Sequence, residues 1–486
     1  MHTIRFIGYA TSLAFALSTS ILVAEEPEGD ASDAPVSYYR DIRPVFQARC
    51  FGCHQPAKPQ GSLDMTNFQG LLEGGDSGDP VVVPSEPDEG TLLEMIVSED
   101  GETAEMPKDG KPLTTDQVAL ISRWISEGAK DDTPESDTAI YDADNPPKYE
   151  SQPVVTSLDF SPDGKLLAVS GYHEVLLHEI GSEGQAKLAA RLVGLSERIE
   201  SALFSPDGQR LAVTGGSPGR MGEVQIWNVA DRELEGSTTV THDTIYGASW
   251  SPDGKLVAFG CADNTLRAVN SETLEQVFYQ RTHDDWVLDS VFSKEGTHLI
   301  SVSRDRTMKL NHVATQRFID NVTSITPGAL KGGLYSVDRH PEKDELLIGG
   351  ADGTPKIYKM FRTKARQIGD DFNLIRKFPA LPGRVFSVQF SDDGKYIVAG
   401  SSKDGKGAAS VYVVETGEEQ AKLAGIEGGI FSATFSPDGK LVASGGFAGE
   451  VYLHDAATGK LLSKFGPVPI DKKQENLAKG GATTGS

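Results

Sequence analysis

Residues 430–445, IFSATFSPDGKLVASG, carry the clearest structural pattern of the chain. Apolar and polar residues alternate before Ser436, as in a half-buried β-strand. Ser436-Pro437-Asp438-Gly439 then reverses the chain, because proline presets φ for a turn and glycine adopts positive φ without strain. The pattern continues to residue 465 and predicts four short antiparallel strands, at 430–435, 441–445, 450–455 and 460–465.

Turns of this kind recur through the rest of the chain. They begin at Ser161, Ser205, Ser251, Ser293, His340, Ser391 and Ser436, at intervals of 44, 46, 42, 47, 51 and 45 residues. A period of about 40–45 residues with four strands per unit is typical of propeller blades. Because a closed ring leaves few sheet edges exposed, these seven units predict an all-β, seven-bladed propeller over residues 153–466.

Two of these units carry a further signature at the end of their third strand. Ile226-Trp227-Asn228 and Leu453-His454-Asp455 stand where WD repeats have their Trp-Asp ending. In these strand endings and in the repeated turns, residues 153–466 resemble WD-repeat propellers. The resemblance implies a protein-binding scaffold and leaves the partner open.

Several residues of metal-binding and acid-base type recur at equivalent positions of the units. They are His242, His283, Asp263, Asp305 and Asp352. Recurrence in several blades predicts structural hydrogen bonds within each blade instead of a metal or catalytic site. Cys261, which lies among strand-like residues, is predicted to be a buried apolar residue.

Length and charge limit the class of protein. A chain of 486 residues exceeds one compact core, since single cores stop growing near about 250–300 residues. The net charge is −24; residues 25–150 hold 28 acidic and 9 basic residues, net −19, and residues 151–486 hold 42 and 36, net −6. A field of this sign repels phosphate backbones, so we expect no nucleic-acid partner.

Residues 1–24 have the composition of an export signal. His2 and Arg5 precede an uncharged stretch, and Leu22-Val23-Ala24 is an acceptable cleavage site. An uncleaved anchor is the alternative, but several Ser, Thr and Gly residues make the stretch too polar for a good bilayer span. We therefore expect a signal peptide and a mature chain without an integral membrane span, periplasmic or otherwise extracytoplasmic.

Cys50-Phe51-Gly52-Cys53-His54 has the C-x-x-C-H pattern of c-type haem attachment. In such sites two thiols, here Cys50 and Cys53, form thioethers to the porphyrin, and the adjacent His54 ligates the iron. A redox disulfide and half of a zinc site are the alternatives. Residues 25–150 contain no other Cys or His to complete a zinc site, and no βαβ pattern surrounds the motif as in a thioredoxin-like site. The motif predicts one covalently attached haem c.

The second axial ligand of this iron must be a methionine if it comes from the same region, because His54 is its only His. The candidates are Met65, Met95 and Met106. Met95 lies in a short helical run, where a Met usually fills a core, and Met65 follows His54 by only eleven residues. Met106 is favoured, because Pro107 follows it in a polar loop and a thioether opposite His is a standard haem pairing.

The surroundings of the motif predict a small all-α domain over residues 37–130. One helix is expected at 41–49 and another at 113–129, with Thr114 or Thr115 as its N-cap. Acidic, proline-containing residues 131–152 predict an extended linker. The polar tail, 467–486, is predicted to be disordered.

The N-terminal domain also shows a family resemblance, carried by six stretches. They are Tyr39-Arg40-Asp41-Ile42-Arg43-Pro44-Val45, Cys50-Phe51-Gly52-Cys53-His54, Gly74-Gly75-Asp76-Ser77-Gly78, Val82-Val83-Pro84, Glu105-Met106-Pro107 and Trp124-Ile125-Ser126-Glu127-Gly128-Ala129. In this order they resemble the small cytochrome c domains of planctomycete and verrucomicrobial exported proteins. The resemblance implies His54 and Met106 as axial ligands and electron transfer as the activity. The family usually has a second proline after Met-Pro, where this chain has Lys108.

Three functions are compatible with these features. The first is an exported monohaem cytochrome, an electron carrier more than a catalyst, whose propeller docks it onto a redox partner. Its acidic domain favours a basic, exported partner, because opposite charges steer encounter. The second is a redox enzyme with a substrate or second-cofactor site in its propeller. The third is a scaffold in which the haem mainly stabilises the small domain.

Overall fold

The fold is described from a computed structural model. It describes residues 35–50, 54–55, 58–65, 68–98, 104–108, 112–134, 141, 145–181, 184–324, 331–369 and 371–470. The predicted signal peptide at 1–24, Cys53 and most of the predicted tail lie outside the described residues. Within those ranges, no helix is long and apolar enough to cross a membrane.

The N-terminal region is small and helical. Its α-helices are α1 (Arg43–Arg49), α2 (Phe68–Glu73), α3 (Thr91–Ile96) and α4 (Thr115–Ser126), with a π-helical turn at Tyr38–Ile42, a 3₁₀ turn at Gln60–Ser62 and a two-stranded sheet of β1 (His54–Gln55) and β2 (Lys58–Pro59). Helix α4 begins with a capping box, in which the Thr114 hydroxyl accepts the Gln117 N–H and the Gln117 side chain accepts the Thr114 N–H. This confirms the predicted helix and its cap.

Aromatic side chains form the centre of this helical core. The Trp124 ring is 1% exposed and stacks on Tyr38 at a centroid distance of 5.4 Å. Phe46 and Phe68 meet the same ring edge-on at 6.3 and 6.2 Å. Trp124 is therefore a core residue, as its position on the apolar face of the helix predicts.

The rest of the described chain is almost entirely antiparallel β-sheet. One seven-stranded sheet contains β3 (Leu158–Phe160), β4 (Leu166–Ser170), β5 (Tyr172–Ile180), β6 (Ala186–Phe204), β7 (Arg210–Ser217), β8 (Met221–Asn228) and β9 (Leu234–Thr241). Five four-stranded sheets follow in chain order. The first two consist of β10 (Ile245–Trp250), β11 (Leu256–Cys261), β12 (Leu266–Asn270) and β13 (Gln276–Gln280), and of β14 (Val287–Phe292), β15 (His298–Ser303), β16 (Met308–His312) and β17 (Arg317–Asn321). The next two consist of β18 (Leu334–Arg339), β19 (Glu345–Gly350), β20 (Lys356–Lys359) and β21 (Leu374–Lys377), and of β22 (Arg384–Phe390), β23 (Tyr396–Lys403), β24 (Lys406–Val413) and β25 (Glu419–Lys422). The last consists of β26 (Ile430–Phe435), β27 (Leu441–Gly446), β28 (Val451–Asp455) and β29 (Leu461–Phe465).

The described sheets that follow the helical region number six, which does not confirm seven separate blades. The difference lies in β6, which pairs with β5 through its first part and with β7 from Arg198 onward. Residues 193–198 contain no proline and no Asn-Gly turn, so the chain stays extended where the sequence predicts a break between two strands. Two repeat units are thus joined into one sheet.

The turns between the first and second strands form as predicted. The Ser436 hydroxyl donates to the Asp438 carboxylate at 2.8 Å and accepts the Leu441 N–H at 2.9 Å, while Gly439 has φ of 69°. The same two bonds form in the turns that begin at Ser161, Ser205, Ser251 and Ser391. The turn chemistry, and not only the hydrophobic pattern, therefore defines the repeat.

Hydrogen bonds also link the first strands of neighbouring units, side by side. Four serines, each four residues before its turn, accept a backbone N–H from the first strand of the next unit. The pairs are Ser157 with Ala202, Ser336 with Val388, Ser387 with Ala433, and Ser432 with Leu158, at 3.0–3.3 Å. The last pair joins the final unit to the first.

The junction of the final and first units is reinforced by apolar packing. Val155 donates its N–H to Gly446 at 3.0 Å, and its side chain packs in one cluster with Leu453 of the last sheet. Tyr149 and Val468 join this cluster. These two residues lie in the segments predicted as linker and tail, and their burial attaches the adjoining ends of those segments to the first sheet.

Candidate functional site

The C-x-x-C-H motif lies at the end of helix α1. Cys50 is the C-cap residue, and its N–H donates to the Phe46 carbonyl at 2.7 Å. The His54 N–H donates in turn to the Cys50 carbonyl at 3.0 Å, which places these two residues one helical turn apart. Both are half-buried, and Cys50 packs against the helical core. Cys53 lies outside the described residues.

The three methionines differ in their surroundings. Met65 is 3% exposed, and its N–H donates to the His54 carbonyl at 3.0 Å. Met95 is half-buried on α3. Met106 is half-buried and packs against the same core cluster as Cys50, and its N–H donates to the Met95 carbonyl at 2.8 Å. Met106 is the candidate that combines a loop position with contact to this cluster.

The donor set of this region fits a c-type haem. A cysteine thiol, an imidazole and a thioether are the groups such a haem requires, and Cys50 and Met106 adjoin one apolar core. In that core the Tyr38 hydroxyl is buried and has no hydrogen-bond partner among the described residues, and burial raises its pKa to about 12. An unpaired phenol in an apolar cluster fits a bound group that brings polar edges. No described group of three or more His, Cys, Asp or Glu side chains is placed to hold a metal ion.

In the β-region, His283 belongs to a buried hydrogen-bonded row. Its Nδ1 lies 2.8 Å from the Asp305 carboxylate and its Nε2 lies 2.8 Å from the Ser301 hydroxyl. Ser301 is fully buried and His283 is 5% exposed, so no substrate reaches this Ser-His-Asp arrangement. The row links the loop before β14 to β15 and to the turn that follows β15, which confirms the structural interpretation of His283 and Asp305.

The other recurring residues have different partners. Asp263 pairs with Arg267, and Asp352 pairs with Lys356; each cation lies four residues further along the chain. These are structural contacts within a blade, as predicted. His242 is exposed, so the expectation of an equivalent hydrogen-bonded role is wrong for this residue. Cys261 is fully buried and burial raises its thiol pKa to about 12, which confirms its assignment as an apolar residue.

A channel of about 950 Å³ runs between the first strands of the units. Three carboxyls line it and accept a backbone N–H from the first strand of the next unit: Asp159 from Phe204, Asp289 from Val337 and Asp338 from Phe390, at 2.7–2.9 Å. Burial raises the pKa of Asp159 and Asp289 to about 7 and that of Asp338 to about 6. These carboxyls therefore hold neighbouring units together.

Arginine and aromatic side chains line one end of the channel, and the sequence pattern did not predict them as a group. They stand five or seven residues before the repeated turns, where the first strands begin, and include Arg198, Tyr246, Trp286, Tyr335, Arg384, Phe386 and Phe431, with Arg304 beside them. The signal that could have found them is an alignment of the units on their turns. In that alignment, Tyr or Phe stands five residues before the turn in four of the seven units.

Comparison with known proteins assigns both regions. The family model for planctomycete cytochrome C matches residues 50–110. The model for the WD domain, G-beta repeat, matches residues 148–175, 235–268, 274–310, 372–406 and 417–455. These matches confirm that a cytochrome-type segment precedes WD repeats in one chain.

Curated relatives match through part of their length. Eukaryotic translation initiation factor 3 subunit I of Kluyveromyces lactis is 28% identical over 134 residues, which is 27% of this chain and 37% of that protein. The WD repeat-containing protein 26 homolog of Arabidopsis thaliana is 23% identical over 212 residues, 43% of this chain and 35% of that protein. Human Coronin-7 is 29% identical over 216 residues, 42% of this chain and 22% of that protein. The chain thus spans 22–37% of the length of these proteins.

Proposed function

We propose that this protein is an exported electron carrier, a monohaem c-type cytochrome whose WD-repeat propeller docks it onto a redox partner protein. The observation that carries the proposal is the motif itself: Cys50 and His54 are fixed one helical turn apart at the end of α1, beside a core that Met106 also contacts. The match of residues 50–110 to planctomycete cytochrome C supports the same assignment.

Haem c, when bound, supplies the one-electron chemistry. The roles of the chain follow from the residues: Cys50 and Cys53 would hold the porphyrin covalently, while His54 and Met106 would ligate the iron. The apolar cluster around Trp124 would exclude water from the porphyrin, and this exclusion would help to set the reduction potential of the haem. None of these roles makes the protein a catalyst.

The proposal includes a ring of seven blades over residues 153–466. It is supported by the first-strand hydrogen bonds, because the Ser432–Leu158 contact returns the last unit to the first. It is also supported by β6, whose two pairing partners divide the seven-stranded sheet into two units of the usual kind. Residues 37–130 form the cytochrome domain in this proposal, and residues 131–152 the linker to the ring.

Location and partner belong to the same proposal. The signal peptide at residues 1–24 would export the chain to the periplasm or another extracytoplasmic space, where covalent haem attachment takes place. The net charge of −19 over residues 25–150 favours a basic redox partner for the cytochrome domain and disfavours nucleic acid.

The alternative of a redox enzyme with its own propeller site is less well supported. The channel has room for a ligand, at about 950 Å³. Its carboxyls Asp159, Asp289 and Asp338 are, however, engaged with backbone N–H groups of the next unit. They hold the ring and are not directed at a substrate.

The test is haem attachment in the full chain expressed with its export signal in a host that matures c-type cytochromes. Wild-type protein should stain for haem on a denaturing gel and show c-type absorption bands only. The variant with both Cys50→Ala and Cys53→Ala should lose the stain, while Cys261→Ala should keep it. Full staining of the double variant would overturn the haem assignment, and an additional chromophore in the wild type would favour the enzyme.

A further inference from the structure

The arginine-aromatic end of the channel has the composition of a binding surface. Trp286 is 39% exposed and stacks on Tyr246 at a centroid distance of 5.6 Å. The Arg304 guanidinium lies over the Trp286 ring, 4.4 Å from its centroid. Phe386 contacts both Tyr335 and Phe431, at 5.0 and 5.2 Å. Trp, Tyr and Arg are the residues that dominate binding energy at protein interfaces.

Three arginines, Arg198, Arg304 and Arg384, line this surface of a protein whose net charge is −24. Arg384 is exposed and has no acidic partner among the described residues. The side chains of Arg198 and Arg304 are 58% and 44% exposed, and their nearest carboxylates, on Glu200 and Asp285, are 3.7 and 3.6 Å away. These distances exceed a normal hydrogen bond, so both guanidinium groups keep donors for a ligand.

We propose that the arginine-aromatic end of the channel, the channel mouth, binds an acidic, extended peptide segment of a partner protein. Carboxylates of the segment pair with Arg198, Arg304 and Arg384, and an apolar side chain packs on the exposed rings. The inference rests on the proposed role of the propeller as a docking module and names the chemistry that it recognises. It does not depend on haem.

Charge and size both select this occupant. Guanidinium groups bind carboxylates through two parallel N–H donors, and a concave mouth concentrates their positive field. The channel volume of about 950 Å³ suits a few side chains and excludes a folded domain. The acidic remainder of the surface repels such a segment elsewhere, so the mouth also fixes where it binds.

The experiment measures binding of a fluorescein-labelled peptide of alternating Asp and Leu to the full chain by anisotropy. A matched peptide of alternating Asn and Leu should bind at least about tenfold more weakly. Arg384→Gln should weaken binding of the acidic peptide about fivefold, and the pair Arg198→Gln with Arg384→Gln more than about tenfold. Affinity should also fall as salt rises from about 0.05 to 0.5 M.

The matched control is Arg317→Gln, because Arg317 is an exposed arginine on the outer strand β17. It should bind the peptide like wild type. Equal binding of both peptides, or equal loss in Arg317→Gln and Arg384→Gln, would overturn the proposal. So would equal competition by an oligonucleotide of the same charge, or self-association that Arg384→Gln abolishes, since these outcomes assign the mouth to another occupant. Haem staining is scored separately, so a failure here is distinguishable from failure of the cytochrome assignment.

Discussion

Burial separates Met65 from the other two candidate iron ligands at the residue scale. Met65 is 3% exposed and belongs to the apolar core, where its side chain fills space between helices. Met106 lies in a loop segment outside the helices, half-buried, at the margin of that core. Met106 therefore combines a loop position with contact to the cluster that Cys50 also contacts.

We predict that Met106→Leu removes the sulfur-to-iron charge-transfer band of the oxidised protein. Leucine conserves volume, so the fold should be retained with a loss of less than about 1.5 kcal/mol. The measurement is the absorption spectrum of haem-loaded protein. Met65→Leu and Met95→Leu are the matched controls and should keep the band; its loss in one of these alone would reassign the ligand.

Strands, at the element scale, carry the contacts between units. Each unit contributes its first strand to the channel, and side chains four or two residues before the turn reach the backbone of the next unit. Asp159 accepts the Phe204 N–H at 2.8 Å in this way, with Asp338 and Asp392 close enough to act on its charge. Its raised pKa follows first from burial and then from these like charges.

The raised pKa values of the channel carboxyls give the stability of the β-region a defined pH dependence. The unfolded carboxyl titrates near pH 4, and in the folded protein the pKa values of Asp159 and Asp289 are about 7 and that of Asp338 is about 6. Because the folded state binds these protons more tightly than the unfolded state, their binding contributes to stability in full below about pH 4. This contribution to the free energy of unfolding is lost as pH rises through 6 to 7.

In the wild-type protein the free energy of unfolding should fall between about pH 5 and pH 8. We predict that this fall is smaller in Asp159→Asn, by on the order of 1 kcal/mol. Asparagine keeps an acceptor for the Phe204 N–H but does not titrate. Thermal unfolding at the two pH values, followed by tryptophan fluorescence, measures the difference. Asp231→Asn, which changes an exposed aspartate, should retain the wild-type dependence; identical profiles for Asp159→Asn and wild type would contradict the assignment.

At the scale of the whole molecule, charge is distributed unevenly. Residues 25–150 carry net −19, whereas residues 151–486 carry net −6 and present an arginine-bearing channel mouth. A partner that meets both regions would need basic residues near its redox centre and an acidic segment for the mouth. Such complementarity favours one orientation of the encounter.

We predict that electron transfer from the haem-loaded protein to a basic small cytochrome falls about tenfold as ionic strength rises from about 0.02 to 0.5 M, because salt screens opposite charges. Stopped-flow absorbance measures this rate. An acidic small cytochrome of similar potential is the control acceptor and should react slowly at low salt. A rate independent of salt would mean that the acidity serves solubility alone.

Features whose causes lie within a few residues could be predicted from the amino-acid sequence. The turn at Ser436 forms because Ser, Asp and Gly satisfy its hydrogen bonds and its positive φ locally. Helix α4 begins where Thr114 and Gln117 cap it. The spacing of Cys50 and His54 is likewise set within one helical turn.

Contacts between units about 45 residues apart are visible only in the folded structure. The fusion of two units through β6, the serine and aspartate contacts between first strands, and the arginine-aromatic mouth depend on which strands become neighbours in space. No local pattern encodes that proximity. A side chain such as Arg384 acquires its surroundings from the packing of the sheets around the channel, which it lines together with aromatic residues from other units.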